Sequence, residues 1–325
     1  MFTEVSFDEA REFVARLNVG SLTGLRGIKA GIENSNFFVD TERGGAPAHW
    51  VLTIFERLTF EQLPFYLHLM KHLAQHDIPV PEPQADDAGR LLHTLKGKPA
   101  ALVNKLAGGH QLAPDAVHCA QVGAMLARMH DAGGDFALAQ PNLRGLDWWV
   151  ETVPQVLPFL TPEQRTLLED ELAFQREVAA SAAHASLPRG TIHADLFRDN
   201  VMFEGPPSHE RLAGFFDFYF AGIDVLLFDI AVCLNDWCID LDSGAMQEDR
   251  ASAFVQSYAA VRPLASAERR LLPALQRGAA LRFWLSRLWD LHLPRDATLL
   301  KAHDPTHFER VLRARVAQPW HPELP

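Results

Sequence analysis

The sequence predicts an α+β fold in two lobes, a small antiparallel β-sheet lobe followed by a larger, mainly helical lobe. Three observations carry this. Short β-like runs fill the chain as far as Asn104. After Leu106-Ala107-Gly108-Gly109 the apolar spacing becomes helical. With 325 residues, 48% of them hydrophobic, the chain has enough apolar material for a core in each lobe. The expected division is 1–106 for the β-sheet lobe and 107–325 for the helical lobe.

The elements follow in order. Ser6 and Glu9 form a capping box ahead of Phe13, Val14 and Leu17, and Asn18 to Gly20 ends that helix. Five β-like runs come next: Leu25–Ala30, Asn36–Asp40, His49–Phe55, Leu91–Leu95 and Ala100–Asn104. Gly44-Gly45 joins the second and third as a hairpin, and Lys96-Gly97-Lys98 joins the last two. One helix, roughly Thr59 to Gln75, lies between them, with Leu63, Leu67 and Met70 on one face. Pro64 favours a start one turn later. Pro79-Val80-Pro81-Glu82-Pro83 then holds the chain extended.

Helical patterns take over from Asp115 to Asp131, Leu146 to Leu160, and Pro162 to Ala183, the last behind a Thr161 cap. Two short β-like pieces, Gly190–His193 and Gly214–Phe218, interrupt them. From Leu226 onward the chain reads as helical.

A formal charge of −11 argues against a nucleic-acid binder, whose footprint is basic. It leaves a phosphate ligand open, because such a site needs only local donors and a metal. Cys119, Cys233 and Cys238 lack a C-x-x-C spacing and read as buried, reduced thiols. The start, MFTEVSFDEAREF, carries acids where a signal peptide needs a basic and then an apolar run. The apolar stretch Val225–Leu234, broken by Asp229, is well short of the ~20 residues of a membrane span. A cytoplasmic protein with no membrane or nucleic-acid partner is expected.

The chemistry sits in T-I-H-A-D-L-F-R-D-N, which contains His193, Asp195 and Asn200 at the spacing H-x-D-x-x-x-x-N of a kinase catalytic loop. Asp195 at such a site orients an incoming hydroxyl and accepts its proton. Asn200 reaches back to a metal that bridges phosphate oxygens. Without support the motif reads equally as a solvated polar loop. The support is Gly214-Phe215-Phe216-Asp217-Phe218, which ends an apolar run on a second acid, where a kinase carries its other metal ligand. A hydroxyl kinase follows from these two motifs and the order of the lobes.

H-x-D-x-x-x-x-N followed by a strand ending in Asp, without the Gly of D-F-G, resembles the aminoglycoside phosphotransferase and choline kinase superfamily. More narrowly, G-I-E-N-S-N-F-F-V, L-T-F-E-Q-L-P-F-Y, L-L-H-T-L-K-G-K-P-A-A-L-V and F-F-D-F-Y-F-A-G-I-D are similar to the homoserine kinases built on that fold. The resemblance implies a bilobal protein-kinase-like fold, ATP, Mg²⁺, and phosphorylation of L-homoserine on the path to threonine. It makes Asp195 the catalytic base with His193 supporting its loop, and Asn200 and Asp217 the Mg²⁺ ligands. Asp229 becomes a buried anchor for that loop. Gly31, Asn34, Ser35 and Asn36 occupy the turn that covers the nucleotide phosphates.

One departure concerns the third strand, where a protein kinase carries a Lys for the α- and β-phosphates. Aligning W-V-L-T on V-A-I-K puts Thr53 there, and Arg57 and Lys29 are the alternative cations. The zwitterionic substrate calls for a cation and an acid, for which Arg282 and Asp236 are the candidates. Asp236 and Asp240 are expected on one helix face. Two other readings stand beside this one: a kinase for another small hydroxyl compound, such as choline, methylthioribose or an aminoglycoside, and a pseudokinase, to which Thr53 points. Oligomeric state is not legible in the chain.

Overall fold

The computed structural model describes residues 3–28, 34–293 and 303–323. They belong to two compact units, one of residues 1–107 with Ala213–Phe216, the other of Gly108–Leu212 with Asp217–Pro325.

The first unit opens with α1 (Phe7–Ala15), capped by Ser6 and Glu9 in a reciprocal box. β1 (Ser21–Ile28), β2 (Asn34–Arg43) and β3 (Ala46–Phe55) follow, then α2 (Leu63–Gln75), β4 (His93–Leu95) and β5 (Lys98–Asn104). They form an antiparallel sheet in the order β1-β2-β3-β5-β4. Gly44 and Gly45 at φ 59° and 81° turn one hairpin, and Lys96 and Gly97 at 54° and 75° turn the other. Phe13 and Val14 of α1, with Leu17 just past its end, pack on Val39, Leu52 and Ile54, so alternate residues of β3 build the core of this unit. Helix α2 starts at Leu63 rather than near Thr59, with Pro64 in its first turn.

The second unit holds α3 (Ala116–Ala132), α4 (Leu146–Val156), α5 (Pro162–Ala180), the short α6 (Ala182–Ala185) and β6 (Arg189–Ile192). Beyond these come β7 (Val201–Glu204), β8 (Arg211–Phe215), whose last three residues belong to the first unit, β9 (Gly222–Val225), α7 (Leu226–Trp237), α8 (Glu248–Val261), α9 (Ser266–His292) and α10 (Thr306–Ala317). β6 pairs antiparallel with β9, and β7 with β8. Four-residue β7 and β9 are too short to leave a periodic signal in the sequence. Helices α3 and α8 approach closely at Gly123, where a Cβ would meet the Phe254 backbone, its carbonyl carbon at 3.0 Å. Cys119, Cys233 and Cys238 are buried and unbridged, and burial pushes the Cys233 and Cys238 thiols up. Among the described residues no helix is long and apolar enough to cross a membrane.

Candidate active site

β6 delivers the chain into the loop 193–200, and Ile192 pairs with Gly222 at the start of β9. Each part of the loop is tied down. His193 is fully buried, its ring 4.5 Å from that of Phe218, and its Nδ1 accepts from Asp195 N–H at 3.3 Å. The Leu196 carbonyl accepts from Trp237 Nε1 at 3.0 Å. Phe197 lies against Phe283 of α9 and Phe308 of α10, with ring centroids 4.4 Å and 5.8 Å away. Arg198 donates from its backbone N–H and its Nε to Asp236 Oδ2, at 2.8 Å and 3.1 Å, and from Nη2 to the Asp236 carbonyl.

Asp236 therefore spends its carboxylate on holding the loop. Asp240 does not share a helix face with it, because α7 ends at Trp237. Asp240 instead accepts from Ser243 N–H and Oγ in the following turn.

The geometry around Asp195 is that of a shielded acid. Asn200 Nδ2 donates to its carbonyl at 2.8 Å and approaches Oδ2 at 3.3 Å. Burial pushes the Asp195 carboxyl well above the usual carboxylate range; Arg282 draws it down, and Asp217 and Asp199 push it up. Asp217 is exposed and sits at φ 64°, in the left-handed region that Asp tolerates better than most residues. Burial and the Asp217 charge together push the Tyr219 hydroxyl up. Ala194, between His193 and Asp195, is also left-handed at φ 63°. A methyl-bearing residue keeps that conformation only where its surroundings impose it. Asp229, fully buried on α7, imposes it by accepting from His193 N–H and Ala194 N–H, each at 2.7 Å.

Arg282 of α9 is 2% exposed, and its Nη1 lies 3.8 Å from Asp195 Oδ1. It rests over the rings of Phe283 and Phe220, 3.8 Å and 4.8 Å from their centroids. Burial pulls its pKa down to about 10, against the raising effect of Asp195, so it stays charged at neutral pH. Its Nε and Nη2 are buried without a hydrogen-bond partner among the described residues. Those two nitrogens form one edge of the guanidinium, the planar fork that fits a carboxylate. Arg287, the neighbouring candidate, gives Nη1 to the Asp304 carbonyl at 2.9 Å.

The donors suit a hard divalent cation. Asn200 and Asp217 offer oxygen ligands, and the charges of Asp199 and Asp217 bear on Asp195 from the same site.

Of the residues assigned to the phosphate turn, Gly31 lies outside the described residues, as does Lys29. Asn34 opens β2 opposite Phe55. Ser35 Oγ donates to Glu56 Oε1 at 2.5 Å, and Asn36 Oδ1 accepts from Thr53 Oγ1 at 2.9 Å. Thr53 thus faces Asn36 rather than presenting a charge. Register places Phe38 and Val51 beside this pair, and Phe38 lies between two cations, Arg26 and Lys105, each 5.1 Å from its ring. Sequence patterns did not single out these cations, because their relation to Phe38 depends on strand register.

Residues 24–264 match the phosphotransferase enzyme family. A protein called homoserine kinase in Polaromonas naphthalenivorans (strain CJ2) is 65% identical over 320 residues, covering 98% of this chain and 99% of that one. A homoserine kinase of Cupriavidus pinatubonensis (strain JMP 134 / LMG 1197) is 57% identical over 317 residues, covering 98% and 96%. Among solved structures, an amicoumacin kinase in complex with AMP-PNP and Ca²⁺ aligns with a TM-score of 0.70 at 16% identity, covering 97% and 95%. A choline kinase from Cryptosporidium parvum Iowa II aligns at 0.61 and 16%, covering 90% and 89%. These two carry the fold, a protein-kinase-like phosphotransferase architecture.

Proposed function

The chain belongs to the phosphotransferase enzyme family, and from that premise we propose that it is a homoserine kinase, which moves the γ-phosphoryl of ATP to the side-chain hydroxyl of L-homoserine and yields O-phospho-L-homoserine. The observation that carries the substrate is the open edge of Arg282 beside Asp195. A buried fork of donors calls for a planar anion, and its closeness to the acid calls for a hydroxyl on the same small molecule. An amino acid with a hydroxylated side chain supplies both, and the curated relatives are called homoserine kinases.

In this reading Asp195 orients the hydroxyl and takes its proton as the new P–O bond forms. Arg282 grips the carboxylate and so fixes the distance from carboxylate to hydroxyl. His193, Asp229 and Asp236 hold the loop in shape. Asn200 and Asp217 are the residues that would hold Mg²⁺, whose chemistry is to neutralise charge on the phosphate oxygens. Gly31, Asn34, Ser35 and Asn36 are assigned to the nucleotide. Arg26 and Lys105 join them as cations beside Phe38, on the sheet that carries Thr53 in place of a lysine.

The test is ADP release with ATP and Mg²⁺ in the presence of L-homoserine, choline, methylthioribose or kanamycin. L-homoserine should give the highest kcat/KM. A higher value for any of the others would refute the homoserine assignment and leave phosphotransfer standing; no substrate-dependent ADP from any of them would favour a non-catalytic nucleotide binder.

A further inference from the structure

Behind Asp229 a line of polar side chains crosses the second unit. His130 of α3 places Nε2 3.2 Å from Asp229 Oδ2 and Nδ1 2.7 Å from the Tyr258 hydroxyl of α8. The same hydroxyl lies 3.3 Å from Nη1 of Arg262, just past the end of α8. That nitrogen is 2.9 Å from Oε1 of Glu268 in the first turn of α9. His130 is 3% exposed, and Asp229, Tyr258 and Glu268 are fully buried. Groups this deep must satisfy their hydrogen bonds with one another.

The two ends fix the direction of every bond between them. A guanidinium only donates, so the Tyr258 oxygen accepts from Arg262. Burial pushes the Tyr258 hydroxyl up, so it keeps its hydrogen, which points at His130 Nδ1. Nδ1 is then bare. Nε2 carries the ring hydrogen and donates to the carboxylate of Asp229, which only accepts. The opposite tautomer would set a bare Nε2 against a carboxylate. A doubly protonated ring would leave the Tyr258 hydrogen without an acceptor.

We propose that Tyr258 is a positioning residue for phosphoryl transfer: it locks His130 in the Nε2–H tautomer, and His130 in turn fixes the carboxylate that holds the loop backbone next to Asp195. Arg262 and Glu268 orient Tyr258. Tyr258 touches no reacting atom, and its effect passes through the backbone of His193 and Ala194. Ala194 is where that effect shows, because its left-handed conformation depends on Asp229. Misplacing a reacting group by a fraction of an ångström to an ångström costs up to about a hundredfold in rate.

The turnover readout rests on the phosphotransfer reading above, whereas the state of the His130 ring does not. Tyr258→Phe should lower kcat about tenfold or more while the KM values for ATP and L-homoserine stay within about twofold. His130→Gln keeps an amide donor near the place of Nε2 and has no tautomer to set. It should retain most of the turnover, and adding Tyr258→Phe to it should cost little more. The ¹⁵N shifts of the wild-type His130 ring should show a protonated Nε2 and a bare Nδ1. A ring protonated on Nδ1, or on both nitrogens, overturns the proposal. So does a Tyr258→Phe loss of the same size in both backgrounds. If the wild type turns over none of the candidate alcohols, the functional reading fails, and the ring nitrogens alone decide whether Tyr258 sets the tautomer.

Discussion

Arg282 Nη1 stands 3.8 Å from Asp195 Oδ1, while the other edge of the same guanidinium, Nε and Nη2, has no hydrogen-bond partner among the described residues. A buried ion pair is normally closed on all sides, since stripping water from a charge costs several kcal/mol unless other bonds replace it. Here the replacement is half complete. The open half is the feature that a substrate carboxylate would finish.

Substitution of Arg282 tests this directly. Arg282→Lys keeps the charge and loses the fork, so KM for L-homoserine should rise about tenfold or more, with a smaller change for 4-aminobutanol, which has no carboxylate. The measurement is kcat/KM for both alcohols on both proteins. Equal losses for the two would place the carboxylate elsewhere, with Arg287 the next residue to try. Serine should be poor with the wild type, since its hydroxyl is one carbon closer to the carboxylate and falls short of Asp195.

Asp195→Asn retains the shape and removes the proton acceptor. Turnover should fall by roughly 10²–10⁴, with nucleotide affinity nearly unchanged. Steady-state ADP release together with a nucleotide titration checks both halves of the statement, and near-normal turnover would remove Asp195 from the base role.

Asp217→Asn and Asn200→Ala should raise the Mg²⁺ concentration needed for half-maximal turnover, as well as lowering the maximum. A Mg²⁺ titration that is unchanged in the Asp217 variant would mean that this acid does not hold the ion.

Acid stability carries a separate expectation for the first unit. Burial works against ionisation of Glu56, but hydrogen bonds from Lys98, Ser35 and Thr3 outweigh it and hold the carboxyl at about 2, below its ordinary 4.5. A carboxyl depressed by folding stabilises the native state above its unfolded pKa, and that stability is lost as pH falls. The loss should fall between about pH 4.5 and pH 2. Melting curves across that window should show a flatter acid limb in Glu56→Gln than in the wild type.

What the sequence made legible was local. Paired glycines mark hairpins because only certain backbones turn there, and the spacing from His193 to Asn200 describes a loop short enough for Asn200 to bond Asp195. Distant relations were not legible. The partner of Asp236 is Arg198, far away in the chain, so an acid near the end of a helix read as available. The chain from Glu268 to Asp229 draws residues from α3, α7, α8 and α9, and no spacing rule joins them. Whether Arg282 has filled or open donors is likewise a property of the packed interior. A charged residue in an apolar helical run announces only that something must meet it.

The contact of α3 with α8 at Gly123 has a reach well beyond its own turn. A methyl group there would wedge the helices apart, and two turns along α3 the same wedge would draw His130 away from Tyr258. Natural selection for turnover would then police a position outside the catalytic loop. A substitution at this seam is therefore expected to cost turnover as well as packing, so lineages that keep the activity are expected to keep the glycine.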